Sequence, residues 1–300
     1  MTDHRRRVGI MATGAVSLAL LANPLATLAQ DDAEMMALSP ECATELLPTV
    51  SEGLLTIGVD NPAYPPLYEG DPPEGSDWAF SDPTSGQGYE GATVQALAKV
   101  LGYTPEQVAW NFTPFGLSYA PGPKDFDVYV TQVSYKPARA EGVDFSDSYY
   151  DVNQAVVTIA DSAISGASTI SELKDAQLGA QVGTTSYDVI VDVIQPNADP
   201  LVYDDNDKAL NALKVGQIDG IVVDMPTSFF MMDVQIPDAG LVGEVIGQLP
   251  NQGEYFGMLL EKDSELTACV NEAIAVLQAD GTLDALKAEW LPEPPPELAP

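Results

Sequence analysis

Short apolar runs alternate with longer amphipathic stretches along most of this chain. LTIGV at 55–59 predicts a first strand, and ATVQALAKVL at 92–101 predicts a helix closed by Gly102. Residues 108–112 and 127–133 predict two further strands. The pattern restarts after Tyr150. QAVVTI at 154–159 is apolar and extended, 178–182 leads through Gly183 into a helix, and 207–215 is helical. IDGIVV at 218–223 predicts a strand of the buried type, and 255–260 predicts the last one. Two helices follow at 265–278 and 283–290, separated by Asp280 and Gly281. The alternation predicts α/β architecture with largely parallel sheets, and the length predicts two lobes rather than one core.

Two segments break the pattern. Residues 69–88 are acidic and rich in Gly, Pro and Ser, too long for an ordinary connection, and predict a surface loop. Trp78 and Phe80 inside it are candidates for a cleft mouth, although anchoring the loop to its own lobe is the plainer expectation. Residues 293–300 are proline-rich and are expected to form a disordered tail. No internal repeat or transmembrane segment is evident.

The first 29 residues have the features of a cleaved export signal. Arg5, Arg6 and Arg7 precede a largely apolar run, and Thr27-Leu28-Ala29 supplies the small residues of a cleavage site. The run is short for a bilayer span, so an uncleaved anchor is the lesser reading; a twin-arginine signal is another. A periplasmic or extracytoplasmic mature protein beginning near Gln30 follows. In such an oxidising compartment the only two cysteines, Cys42 and Cys269, are expected to pair, the alternative being two separate buried thiols.

Charge and absences narrow the chemistry. With 12 Lys and Arg against 45 Asp and Glu, the formal charge is −33. Phosphate backbones need clustered cations, so nucleic acid is excluded as a natural partner. Most of these carboxylates read as a solvated acidic surface. The only histidine, His4, lies in the leader, which rules out Ser-His or Cys-His nucleophiles and His-based metal sites in the mature protein. No Gly-rich lysine loop for ATP is present. Beyond the leader there is a single arginine, Arg139.

That arginine is a candidate bidentate partner for a carboxylate. It follows Thr131, Gln132 and Ser134, which stand at a predicted strand end, where ligand clefts form in open α/β sheets. Gly183, Thr184 and Thr185 sit at another strand end and open a helix, offering hydroxyls and free N–H groups. Asp224 follows the 218–223 strand and is a candidate acceptor for an ammonium. Singly, each has an ordinary reading: a surface arginine, a helix cap, a second cap.

The segments LTIGVDNPAYPPLYE, GYEGATVQALAKVLG, DVYVTQVSYKPARAEGVDFSDSYYD, GAQVGTTSYD, GQIDGIVVD and TLDALKAEWL, in this order over nearly all of 52–292, resemble the type II periplasmic amino-acid-binding proteins, bacterial solute-binding family 3. The resemblance implies a two-lobed fold, with residues 43–152 and 253–292 in one lobe and 153–252 in the other. Two hinge crossings would lie near 151–156 and 251–256. It implies that Arg139, Ser134, Thr184 and Thr185 hold a ligand α-carboxylate, that Asp224 takes the α-ammonium, and that Thr131 and Gln132 add polar contacts. Asp60, Tyr64 and Phe115 would surround the side chain, a set suited to a polar or cationic amino acid. The implied partners are a permease and, through it, an ATPase, for a monomeric protein with no cofactor. The long insertion after Glu69, and Gln132 in place of a small hydroxyl residue, depart from the family pattern. Rival readings are an enzyme resembling cyclohexadienyl dehydratases on the same fold, and a binding module for a membrane sensor.

Overall fold

A computed structural model describes residues 37–300, of which Leu38–Pro300 form one compact unit. The expected leader, residues 1–29, lies outside the described residues.

Two five-stranded mixed sheets organise the unit. The first has the order β2-β1-β3-β10-β4, from β1 (Leu55–Val59), β2 (Val108–Phe112), β3 (Val128–Tyr129), β4 (Val143–Asp151) and β10 (Tyr255–Glu261). The second has the order β7-β6-β8-β5-β9, from β5 (Gln154–Ile159), β6 (Leu178–Gln181), β7 (Leu201–Tyr203), β8 (Gly220–Asp224) and β9 (Gly243–Gln248). β1 runs parallel to β2 and β3, and β6 runs parallel to β7 and β8, while β10 and β5 are antiparallel to their neighbours. The α/β class is as the alternating pattern predicts and the two lobes as the length predicts, but each sheet has two parallel and two antiparallel pairings rather than being largely parallel, because β10 and β5 run against their neighbours.

Burial explains why the apolar runs are continuous. All five residues of β1 are buried, because helices cover one face and the aromatic rings of Phe126 and Tyr129 the other. A Cβ on Gly58 would stand 2.7 Å from Phe126 Cδ1 and 2.8 Å from Tyr129 Cδ2, so only glycine fits there. Helices α1 (Tyr89–Val100), α6 (Leu266–Ala279) and α7 (Thr282–Trp290) carry Val94, Leu97, Val270, Ile274 and Leu283 into the first core. In the second lobe, Val156 and Val157 of β5 enter two different clusters, one on each face of the sheet. α4 (Asn206–Lys214) covers one of those faces with Leu210 and Leu213. Cys42 and Cys269 form a disulfide, with Cα atoms 5.4 Å apart, tying the turn Pro40–Cys42 to α6.

Three further expectations need correction. The strand predicted at 127–133 is only Val128–Tyr129, because the chain turns away at Gln132, whose φ is 46°. Helix α1 begins three residues before the predicted start, since the N–H groups of Tyr89 and Glu90 are accepted by Pro66 O and Leu67 O. The proline-rich residues 293–300 are ordered against the second lobe: Leu298 is buried, and Glu297 and Ala299 form bridges to Gln248 and Thr169. Their composition argued for a free tail, but one apolar anchor and an open sheet edge hold them.

The chain crosses between sheets from β4 to β5 and from β9 to β10. The two crossings are bonded to each other: Val152 N–H donates to Glu254 O (3.2 Å) and Asn251 Nδ2 donates to Val152 O (2.7 Å).

Candidate functional site

The cleft between the lobes is built from strand ends. β1 delivers Asp60, β3 delivers Thr131 and Gln132, β6 delivers Gln181 and Thr184, and β8 ends on Asp224. Carboxyl ends of parallel strands from both sheets thus face one space, the usual position of a ligand crevice. An inner cavity of about 130 Å³ is bordered by Asp60, Glu90, Phe115, Thr131, Thr184 and Asp224. An outer one of about 200 Å³ reaches Asn206, Asp207, Phe230 and Gln235, and Asp60, Tyr64, Gln132 and Gln181 border both.

Arg139 lies beside this space, on the helical turn α2 (Pro137–Ala140), and is 7% exposed. Nη1 donates to Ser134 O (2.7 Å) and Nη2 to Gly183 O (2.9 Å), one carbonyl from each lobe. The guanidinium also sits over the rings of Tyr119 (4.8 Å) and Phe115 (5.5 Å). It has no carboxylate within ion-pair distance among the described residues. Burial therefore draws its pKa down, with Tyr119, Asp224, Glu254 and Asp188 opposing. Two of its five N–H donors are committed to carbonyls, which leaves three for another acceptor.

On the opposite side is an acid centre with too few donors. Gln154, the first residue of β5, places Nε2 2.5 Å from Asp224 Oδ1 and 3.1 Å from Glu254 Oε2, while its Oε1 accepts from Ser186 Oγ at 2.7 Å. The same Nε2 stands 3.3 Å from Thr185 Oγ1. An amide has two hydrogens, so it cannot satisfy two carboxyls and a hydroxyl together. Burial first, and the Glu254 carboxylate second, push Asp224 up to about 8, although the Gln154 bond and Arg139 pull it down.

The remaining expected residues divide into cavity and frame. Asp60 borders the cavity; its Oδ1 accepts from Asn61 N–H (2.8 Å), and burial outweighs that bond to raise its pKa. Tyr64 packs against Phe230 of the other lobe, the rings tilted by 35° with centroids 4.7 Å apart. Burial pushes its pKa up to about 12, helped by Asp207, Asp60 and Asp205. Phe115 opens a helical turn under Arg139. Thr131 is partly spent on the frame, accepting Asp60 N–H (3.1 Å) and donating to Val130 O (2.6 Å). Thr184 Oγ1 is turned to Gln181 O (2.8 Å), and Ser134 and Thr185 lie with Arg139 outside the cavity, their hydroxyls 3.5 Å apart. Gln132 ties the lobes: its N–H donates to Glu90 Oε1 (2.7 Å) and its Oε1 accepts from Thr227 Oγ1 (2.9 Å).

The sequence reading overlooked Glu90, Gln154, Gln181, Thr227 and Glu254. Glu90 is fully buried, its Oε2 has no partner among the described residues, and burial pushes it up to about 7 against hydrogen bonds from Tyr149 and Gln132. The available signals were an acid opening an apolar helix and a glutamine heading an apolar strand. Phe80, from the 69–88 insertion, reaches across the cleft mouth to Phe230 (5.0 Å) as well as to Tyr64 (5.3 Å), whereas Trp78 packs on its own lobe.

Comparison with known proteins bears on this site. The profile described as "Bacterial extracellular solute-binding proteins, family 3" matches residues 55–293. The L-cystine-binding protein TcyJ of Escherichia coli (strain K12) is 30% identical over 82% of this chain and 85% of its own length. Among solved structures, an ancestral arginine-binding protein bound to glutamine aligns with a TM-score of 0.61 and 26% identity, covering 81% of this chain and all of the other. A solute receptor for L-cysteine of Neisseria gonorrhoeae gives 0.61 and 27%, covering 80% of this chain and 90% of the other.

Proposed function

Because the chain belongs to family 3 of the bacterial extracellular solute-binding proteins, we propose that it captures a free amino acid outside the cytoplasm and presents it to an ABC permease. One observation carries this reading. Among the described residues, a buried guanidinium without a carboxylate and a part-buried acid pair without a cation lie within electrostatic reach across one small cleft. A zwitterion supplies both missing charges. Its carboxylate takes the free donors of Arg139, with the hydroxyls of Ser134, Thr184 and Thr185 close by. Its ammonium brings three donors to Asp224 and Glu254, which Gln154 alone cannot satisfy.

The side chain extends toward Asp60, Tyr64 and Phe115. One acid and two aromatic walls favour a polar or cationic group, and Asp207 at the outer rim adds to that preference. The relatives named above span cystine, arginine, glutamine and cysteine, so they support the amino-acid class and leave the side chain to this cleft.

Closure follows from the same contacts. Arg139 donates to a carbonyl of each lobe, Lys136 pairs with Asp188 across the gap at 2.5 Å, and Gln132 accepts from Thr227. A ligand bridging Arg139 and Asp224 adds to these and shifts the lobes toward the closed state. Binding leaves the ligand chemically unchanged. Denaturing the purified protein and identifying released small molecules by mass spectrometry tests the reading: a free amino acid supports it, and a non-amino-acid ligand contradicts it.

A further inference from the structure

Residues 291–300 leave the first lobe and finish on the second. Leu291 still donates its N–H to Lys287 O of α7 (3.0 Å) and packs both against the first-lobe core and against Ala155, Met225 and Phe229 of the second lobe. Farther along, Gln248 at the end of β9 grips the segment three times. Its N–H donates to Pro296 O (3.1 Å), its Nε2 donates to Pro295 O (2.5 Å), and its carbonyl accepts from Leu298 N–H (2.8 Å). Ile170 N–H then donates to Ala299 O (2.7 Å), and Ala299 N–H donates to Ser168 O (3.2 Å). Leu298 is buried in the second-lobe core with Val156, Leu178 and Leu249.

The second lobe is shaped for this segment. β9 is an edge strand, which would otherwise expose unpaired backbone. A Cβ on its Gly247 would meet Leu298 Cγ at 2.9 Å, Leu298 Cδ2 at 3.0 Å and Pro296 O at 3.0 Å. These three nearest atoms all belong to residues 291–300, so the missing side chain makes room for them.

Between its two anchors the segment carries Pro292, Pro294, Pro295 and Pro296. Proline fixes φ and favours an extended, stiff chain, so the span has little slack. It passes next to the hinge and encloses a cavity of about 250 Å³ with Tyr150, Asp151, Asn153 and Gln248. None of the residues bordering that cavity borders the cleft, so the segment passes clear of the ligand space.

We propose that residues 291–300 form a third connection between the lobes, a proline-stiffened strap that limits how far the cleft opens. Rotation about the two hinge crossings moves the end of α7, from which the segment starts, relative to Gln248, and a span without slack resists that movement. The strap therefore keeps the ligand-free lobes near closure and slows ligand escape. The effect on escape rests on the amino-acid-binding reading above; the effect on opening does not.

The test compares wild type, a deletion of 292–300, and Gly247→Val, which blocks docking from the second-lobe side while suiting a strand. Small-angle scattering of the ligand-free proteins reads the opening. Both variants are expected to show a larger radius of gyration. Ligand dissociation, followed by tryptophan fluorescence, should be about 3- to 10-fold faster as the closed population falls. If the deletion variant fails to fold, Gly247→Val decides alone. Scattering indistinguishable from wild type in the folded variants overturns the strap. Should wild type bind no amino acid, the functional reading falls, while the scattering comparison still decides the strap.

Discussion

The side-chain amide of Gln154 donates to Asp224 at 2.5 Å while lying 3.1 Å from Glu254, so one buried neutral group stands between two part-buried acids. Neither acid has a cation of its own among the described residues. This shortage of donors makes the protein's chemistry depend on pH.

Asp224 is raised to about 8 in the ligand-free protein by burial and then by Glu254, with Glu90 adding and Arg139 opposing. A ligand ammonium favours the ionised form. Below pH about 8, binding should therefore release up to one proton, and Kd should fall by up to about tenfold per pH unit before levelling above 8. Calorimetry in buffers of different ionisation enthalpy measures the proton count, and Asp224→Asn should abolish it together with most of the affinity. Stability of the ligand-free protein runs the other way. A raised acid contributes fully below its unfolded value of 3.8, and that contribution is lost as pH climbs through about 8. Asp224→Asn should thus gain stability relative to wild type as pH rises, read by denaturant midpoints.

Arg139→Ala should cost roughly 2–5 kcal/mol of ligand affinity, because the ligand carboxylate is then buried without its partner. Arg139→Lys should also bind poorly, since an ammonium cannot reproduce the planar fork. Titration calorimetry giving near-normal affinity for both would remove this residue from the site.

Phe80 holds φ at 77° and is 53% exposed, a costly pairing for an aromatic residue. Its contact with Phe230 across the mouth offsets that cost. Aromatic pairs contribute about 0.5–1.5 kcal/mol each. Phe80→Ala should accelerate ligand dissociation several-fold while leaving the disulfide-bearing core intact. An unchanged dissociation rate would reduce the insertion to a surface loop.

Reducing the Cys42–Cys269 bridge frees a span of 227 residues. The loop-entropy estimate for that length is roughly 5 kcal/mol, an upper figure for the stability lost. Because the bridge lies in the first-lobe core, away from the cleft, ligand affinity should survive reduction under conditions where the protein stays folded. Parallel denaturation and binding assays with and without reductant check both halves.

What the sequence disclosed follows from which interactions are local. β1 was legible to the residue because a strand covered on both faces is an uninterrupted apolar run, and β2 was too although it is an edge strand on which only Val108 is buried. Arg139 and Asp224 stood out because each is a charge at an element boundary. Gln154 and Glu254 did not, since they meet only where two hinge crossings, 100 residues apart, come together. Glu90 was hidden inside a helix read as beginning later. The strap was misread because composition speaks for an isolated segment, whereas Leu298 and the room left by Gly247 are a tertiary match.

Side-chain preference turns on Asp60. Asp60→Asn should weaken a cationic ligand far more than a neutral one, because only the former uses the carboxylate's charge. A thermal-shift panel of the common amino acids reads this: ligand at about 100 times its Kd stabilises by roughly 2.7 kcal/mol. Leucine or glutamate giving the largest shift, with none from glutamine, arginine or lysine, would reverse the assignment.

The most direct measurement compares one bound amino acid with its two truncated forms, lacking the α-carboxylate or the α-ammonium, by titration calorimetry on the wild-type protein. Recognition through Arg139 and through Asp224 predicts that the intact amino acid binds and that either truncation weakens it by about 100-fold or more, the loss of one buried charge pair. Equal binding of a truncated form, or no binding by any free amino acid, would contradict it.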